Sequence, residues 1–316
     1  MASIQLSTGA HMPLLGLGTW QSNPGEVEIA VTRALEVGYR LIDTASLYAN
    51  EAEIGAALHE CFSHGKLKRE DVFITTKLFS THNRPEQVES ALRESLSKLR
   101  LDYVDLYLIH NPVAFNDDMS AQDHKTTVVD TWKGMEGVFE KGLAKAIGLS
   151  NVNEEQVQRV YDHAKIKPHN VQVEAYLYFP QHELHALCKK LGITFTAFGP
   201  LGSPGRVHFQ NPSGAKLEWA PAPNPQEDPI VKKLAQKHHK TPAQILLRWL
   251  IDRKISAIPK STNAARIKEN FEVVEFSLTA DEVAELNSVE SRHRLFYQDF
   301  LKGHAEDPFK NERHTK

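Results

Sequence analysis

Apolar residues recur along this chain in two alternating rhythms. Short apolar runs, the signature of strands, alternate with longer stretches whose apolar residues fall at helical spacing. After an N-terminal β-like piece, residues 14–17 read as a first strand. Glu26 to Val37 then places Val27, Ala30, Val31, Ala34 and Leu35 on one face and stops at Gly38. The alternation continues with strands at 41–42, 72–76, 104–109, 144–148, 171–174, 193–198 and 255–258. Helices are predicted at 50–63, 85–99, 126–141, 153–164, 181–191, 229–239, 242–253 and 263–270. Parallel neighbours need crossover connections, so eight strands alternating with helices predict a parallel sheet. The expected fold class is α/β: a (β/α)8 TIM barrel with an N-terminal β-hairpin, formed by residues 1–316 as one domain. Segments near 111–125, 199–228 and 291–316 break the rhythm. The first two follow strands four and seven, which puts them on the face where barrels carry their active sites, and the last is expected as a tail over that site.

Polar residues stand at the ends of these apolar runs. Asp43 closes Arg40-Leu-Ile-Asp43, Lys77 closes Val72-Phe-Ile-Thr-Thr-Lys77, and His110 closes Val104-Asp-Leu-Tyr-Leu-Ile-His110; Tyr48 follows shortly after Asp43. Singly, each has an ordinary structural use, as a cap, a core aromatic, a solvated end or a satisfied core histidine. Together they make chemical sense. A phenol is a weak acid, and a neighbouring ammonium lowers its pKa. A carboxylate beside the ammonium keeps it charged and aimed. Such a phenol can protonate a developing alkoxide, and an imidazole nearby can polarise the same carbonyl oxygen. Metal-free carbonyl reduction follows if a cofactor supplies hydride.

Composition narrows the classes without choosing among them. Net charge is −3 in 316 residues, with 24% charged and 41% hydrophobic residues, so nothing favours nucleic acid or an anionic membrane. No apolar run reaches membrane-spanning length and the first residues lack a signal-peptide pattern. Two cysteines, Cys61 and Cys188, are too few for a disulfide framework. A cytoplasmic location is the expectation. His59, Cys61 and His64 match no usual metal-ligand spacing, so no metal is expected.

At this point the chain resembles a known family. Gly38-Tyr-Arg-Leu-Ile-Asp-Thr-Ala-Ser-Leu-Tyr-Ala-Asn-Glu-Ala-Glu-Ile-Gly55 looks like the first motif of the aldo-keto reductase superfamily. Leu108-Ile-His-Asn-Pro112, Ile147-Gly-Leu-Ser-Asn151, and Ile258-Pro-Lys-Ser261 with Arg266 to Asn270 match further motifs in the same order. The likeness is closest to the aldehyde reductase and aldose reductase branch. It implies a monomeric barrel that reduces aldehydes or ketones with NADPH, with Tyr48 as the acid, Lys77 and Asp43 tuning it, and His110 orienting the carbonyl. A non-enzymatic or NADPH-sensing binding protein on the same fold is the alternative, as is an enzyme working mainly as an alcohol or steroid dehydrogenase.

Gly16-Leu-Gly18 is not a Rossmann loop, because Gln21 stands where a third glycine is needed. The resemblance instead places Thr19 and Trp20 near the nicotinamide. Ser150, Asn151 and Gln172 supply two amides and a hydroxyl at strand ends, which suits a carboxamide, and the family holds the nicotinamide amide there. Phe198 stands where the family usually has a tyrosine stacked on the nicotinamide; the π-face is kept. Gly199-Pro-Leu-Gly-Ser203, including Leu201 and Ser203, resembles the pyrophosphate loop. Lys260, Ser261, Thr262 and Arg266 form an anion site near a helix N-terminus, where the family puts the 2′-phosphate. Glu269 and Asn270 correspond to adenine contacts. Some relatives latch the loop after strand seven with a salt bridge; the corresponding residues here, Gln21 and Gly205, are uncharged, which predicts faster NADP release. Trp20, Leu47, Tyr48, Phe79, His110, Asn111, Phe115 and the tail around Leu295-Phe-Tyr297 are the expected walls of a pocket for a small carbonyl compound. The family often has tryptophan at positions 79 and 111, so the pocket should be roomier and wetter. Gln172-Val-Glu-Ala-Tyr-Leu-Tyr178 departs from the usual pattern with no functional account.

Overall fold

The structure is a computed structural model and describes residues 2–209, 219 and 221–313. The chain opens with an antiparallel hairpin, β1 (Ser3–Gln5) and β2 (His11–Pro13). Eight strands follow: β3 (Leu17–Gly18), β4 (Leu41–Asp43), β5 (Phe73–Leu78), β6 (Leu106–Ile109), β7 (Ile147–Ser150), β8 (Asn170–Glu174), β9 (Thr194–Phe198) and β10 (Ile255–Ala257). They hydrogen-bond in chain order, and every neighbouring pair is parallel. The sheet closes on itself. Gly16 N–H donates to the Ala257 carbonyl at 2.9 Å, Ala257 N–H donates to Leu14 at 3.0 Å, and Gly18 bridges to Lys260. The expected barrel is therefore formed.

That seam explains Gly16-Leu-Gly18. A Cβ on Gly18 would lie 2.7 Å from the Ile258 carbonyl oxygen, and one on Gly16 would lie 2.5 Å from Leu41 Cγ. The glycines let the first and last strands approach each other and the barrel interior.

The crossover helices are α1 (Glu26–Val37), α2 (Glu51–Ser63), α3 (Val88–Leu99), α4 (Val128–Glu140), α5 (Glu154–His163), α6 (His182–Leu191), α7 (Pro229–His238), α8 (Pro242–Asp252) and α9 (Ala264–Phe271). Local sequence starts them: Thr127 with Asp130, Asn153 with Gln156, and Thr241 with Gln244 form reciprocal capping boxes on α4, α5 and α8. A further helix, α10 (Ala280–Asn287), was not expected from the apolar pattern. Only Val283 and Leu286 give it an apolar stripe, although Thr279 and Glu282 spell its capping box in the sequence. The predicted strand 144–148 is shifted: Ala144 only bridges Val104, and the strand proper runs to Ser150.

Strand side chains alternate faces, and the barrel sorts them into two cores. Ile42, Ile74, Tyr107, Ile109, Leu149 and Val171 point outward into the shell shared with the helices. Leu41, Phe73, Leu106 and Leu108 point inward, where Leu6 and Met12 of the hairpin join them and plug the N-terminal end. Moving up the same inward rows, the character turns polar: Thr75, Asn170, Thr196 and Ser256 are buried midway. Asp43, Lys77, His110, Ser150 and Gln172 come next, at the C-terminal mouth. A single period-two rule thus places five sequence-predicted residues on one floor.

Candidate active site

Lys77 stands at the centre of that floor with 1% of its surface exposed. Its Nζ donates to Asp43 Oδ1 at 2.6 Å and to the Thr44 carbonyl at 2.8 Å, and lies 3.3 Å from the Tyr48 hydroxyl. Asp43 Oδ2 accepts from Gln172 Nε2 at 2.7 Å. His110 meets Tyr48 edge-on, with ring centroids 5.8 Å apart. The four residues expected to act together are brought together.

Their proton affinities follow from burial and mutual charge. Burial acts to lower the Lys77 pKa, but Asp43 and Tyr48 outweigh it and hold the ammonium above its ordinary value. Burial drives His110 well below its usual range, and Lys77 pushes the same way, so the imidazole is neutral. Tyr48 corrects an expectation. Lys77 does act to lower its pKa, but burial raises it more, and the net direction is up. The phenol is therefore held protonated at neutral pH.

Several residues that sequence reasoning did not single out fix this geometry. Ser46 Oγ donates to the Lys77 carbonyl at 3.1 Å, pinning the short 3-10 turn that carries Tyr48. Asn50 Nδ2 donates to the carbonyls of Thr19 and Ser22, and Asn50 Oδ1 accepts from Thr44. Thr19 Oγ1 in turn donates to the Asp43 carbonyl at 2.9 Å. Beneath them, the buried Glu51 carboxylate accepts from Thr76 and Ser95. The signal for Asn50 was its place between the Tyr48 turn and α2.

Beside the tetrad, the amides have fixed orientations. Gln172 Nε2 is committed to Asp43, which leaves Oε1 as its acceptor. Asn151 Nδ2 donates to the His110 carbonyl at 2.9 Å, which leaves Oδ1 as its acceptor. Ser150, paired in register with Gln172, adds a hydroxyl. Two acceptors and a hydroxyl complement the N–H and C=O groups of a primary carboxamide. Phe198 is half-buried at the end of β9. After it, Gly202 N–H closes a turn on the Gly199 carbonyl at 3.0 Å, and Arg206 Nη1 ties the carbonyls of Gly202 and Ser203 at 3.2 Å each. Gly202 has φ 78°, and a Cβ there would meet Pro225 at 2.8 Å, so this position requires glycine. Across the mouth, Lys260 and Arg266 are exposed and Thr262 half-exposed, whereas Ser261 is buried and accepts from Asn263 N–H at 3.1 Å. The donor set suits a phosphate. Asn270 is buried, and Glu269 already accepts from Thr241 at 2.9 Å.

The tail answers what Gln172 to Tyr178 does. Glu174, 1% exposed, accepts from the N–H groups of Leu295 at 2.6 Å and Phe296 at 3.0 Å. Burial raises its pKa, opposed by Arg294 and those two donors. Tyr176 donates to the His293 carbonyl at 2.7 Å, and His293 N–H donates to Tyr178 at 2.8 Å. The segment is a dock for residues 293–296. It sets Phe296 edge-on against Trp20, Phe198 and Trp219, with centroids 5.5–5.6 Å apart. Farther along, Glu306 accepts from Val128 N–H, Gln156 and Arg159.

The predicted pocket walls divide. Trp20 and Phe79 flank the mouth, Phe79 lying edge-on to His110 at 6.3 Å. Leu47 is 47% exposed. Phe115 is buried with Val113, Leu301 and Phe309, so it glues the loop after β6 to the tail. Asn111 is 1% exposed. Trp219 was not anticipated, and the neighbouring positions 210–218 of the long loop lie outside the described residues. Gln21 and Gly205 do approach each other: a Cβ on Gly205 would lie 3.9 Å from Gln21 Oε1. Trp20 and Phe209 also meet there, with centroids at 5.3 Å.

Comparisons with known proteins agree with this geometry. The Aldo/keto reductase family model matches residues 14–291. Aldo-keto reductase family 1 member A1 of Gallus gallus is 48% identical over 301 residues, covering 92% of this chain and 89% of that protein. Its Homo sapiens counterpart is 43% identical, covering 92% and 90%. Among solved structures, the aldose reductase from Schistosoma japonicum superposes with a TM-score of 0.87 at 42% identity, covering 99% of this chain and all of that one. The aldo-keto reductase of Bombyx mori, solved in complex with NADP, also gives 0.87 at 39% identity, covering 97% and 98%. With its barrel, its buried Asp43–Lys77 pair against Tyr48 and a family match over most of its length, the chain belongs to the aldo/keto reductase family.

Proposed function

We propose that this aldo-keto reductase, an NADP(H)-dependent oxidoreductase, reduces aldehydes and ketones to alcohols with Tyr48 as the proton donor. The observation that carries the reading is the contact of Lys77 Nζ with both Asp43, at 2.6 Å, and the Tyr48 hydroxyl, at 3.3 Å. When bound, NADPH supplies the hydride that the carbonyl carbon receives. The rest is the work of this chain. Tyr48 is protonated at rest and sits against a permanent cation, which stabilises the phenolate left after proton transfer. Asp43, gripped by Lys77 and Gln172, keeps that cation aimed. Neutral His110 donates a hydrogen bond to the carbonyl oxygen and fixes which way the substrate faces.

Ser150, Asn151 and Gln172 would hold the nicotinamide carboxamide, with Phe198 against the ring and Thr19 and Trp20 close by. Leu201 and Ser203 would line the pyrophosphate. Lys260, Ser261, Thr262 and Arg266 would take the 2′-phosphate, and Glu269 and Asn270 would border the adenine. Trp20, Phe79, Phe296 and Trp219 give the substrate apolar surroundings, with Asn111 as a polar element. The enzyme is read as a cytoplasmic monomer, in keeping with free thiols at Cys61 and Cys188.

The test is Tyr48→Phe assayed by NADPH consumption with aromatic aldehydes, sugars and longer alkenals. Turnover should fall by about 10²–10⁴-fold, the usual weight of general acid catalysis, with NADPH binding retained. A variant that still turns over at the wild-type rate refutes the assignment. A wild-type protein that binds NADPH tightly and reduces nothing points to a binding role.

A further inference from the structure

One side chain of the tail reaches the amides beside the tetrad. Gln298 Nε2 donates to Asn151 Oδ1 at 2.8 Å, across 147 positions of sequence. Both residues are held in the left-handed region, Asn151 with φ 53° and Gln298 with φ 47°. Asn adopts it readily, whereas a Gln does so where its surroundings impose it. At one end, Asn151 Nδ2 is committed to the His110 carbonyl at 2.9 Å, so the amide has one possible orientation. At the other, the Gln298 carbonyl accepts from Leu301 N–H at 2.9 Å and from Arg313 at 3.2 Å. Arg313 also donates to the Tyr297 carbonyl at 2.6 Å and pairs with Asp307 at 2.7 Å. Tail amide, Asn151 amide and the backbone of His110 form one relay.

We propose that Gln298 is a positioning residue for the nicotinamide end of the cofactor: a carboxamide contributed by the tail that locks Asn151 in its receiving orientation. The proposal rests on the reading that Asn151 seats the nicotinamide carboxamide. An amide oxygen accepts two hydrogen bonds. Gln298 takes one and leaves the other for the ligand. With both ends of its amide fixed, Asn151 meets the cofactor already in place, so less ordering remains to be done on binding. The nicotinamide half alone benefits; the adenosine half contacts other strands.

The experiment uses full-length enzyme carrying Gln298→Leu, which removes the donor, and Gln298→Glu, which keeps the shape and lacks the donor at neutral pH. Dissociation constants are measured for NADPH and for adenosine 2′,5′-bisphosphate, which has no nicotinamide. Both variants should weaken NADPH roughly three- to twelve-fold, the weight of one neutral hydrogen bond. Adenosine 2′,5′-bisphosphate should bind as to wild type. Unchanged NADPH binding, or equal weakening of both ligands, overturns the proposal. So does tighter NADPH binding, which would mean that the tail amide competes with the cofactor. Asn151→Gly, chosen because glycine accepts the same positive φ, separates the two layers. If it weakens NADPH and the Gln298 variants do not, only the role of Gln298 fails. If it leaves NADPH untouched, the seat itself is misassigned and the proposal falls with it.

Discussion

The barrel mouth and the tail across it are built by opposite means. At the mouth, Asp43, Lys77, His110, Ser150 and Gln172 ride on strands whose hydrogen bonds to both neighbours fix their height and facing. The tail from 291 to 313 has only one short 3-10 turn, Asp299–Leu301, among its assigned elements. Side chains reaching from the barrel and its helices hold it: polar grips from Glu174, Asn151, Gln156 and Arg159, and the apolar packing of Val113 and Phe115 on Leu301 and Phe309. The mouth is made rigid by shared backbone, so removing one side chain leaves the others in place but unbalanced in charge. The tail is made rigid by a few side chains, so removing one frees a stretch of chain.

The sharpest break of this contrast is Lys77→Met. It strands Asp43 in the core with Gln172 as its one remaining side-chain partner, and breaking a buried pair from one side costs about 3–5 kcal/mol. Thermal unfolding should shift down markedly and turnover should vanish together. A variant of wild-type stability would mean that the mouth carries the unbalanced Asp43 charge without cost. Glu174→Gln tests the other side. An amide puts a donor NH2 where one of the two accepting oxygens stood, so either Leu295 or Phe296 N–H faces a donor and loses its partner. About 1–3 kcal/mol of docking should go, the cost of leaving a buried donor unsatisfied. Proteolysis within 291–313 should accelerate and KM should rise, with overall unfolding nearly unmoved; a matching loss of global stability would mean that tail and mouth unfold as one. The smallest effect belongs to the point where Gln21 meets Gly205. The double variant Gln21→Lys with Gly205→Asp should slow NADP release in stopped flow by about two- to five-fold, in line with an exposed ion pair. If the double variant releases no more slowly than the two singles combined, no latch has formed.

The two regions also differ in how far they could be read from residues alone. The tetrad was legible because alternation, strand ends and chemistry coincide over short distances in the chain. Ser150, Asn151 and Gln172 were legible for the same reason, although the flip of each amide was not. The net rise of the Tyr48 pKa was hidden, because it depends on how completely the barrel buries the phenol, and no pattern reports that. The dock was hidden for another reason. Glu174 and Leu295 are 121 positions apart, and neither belongs to a periodic pattern that points to the other. The helix Ala280–Asn287 had a visible capping box, but its thin apolar stripe gave the period nothing to rest on.

Glu174 takes hold of the tail by its main chain. An N–H at 295 or 296 is offered by any residue except proline, so the anchor is indifferent to which side chains are carried there. Phe296, which packs edge-on against Trp20, Phe198 and Trp219, is therefore free to vary while the tail stays moored. A lineage, or a saturation library at that position, can change the surroundings of the proposed substrate pocket one residue at a time without first losing the tail.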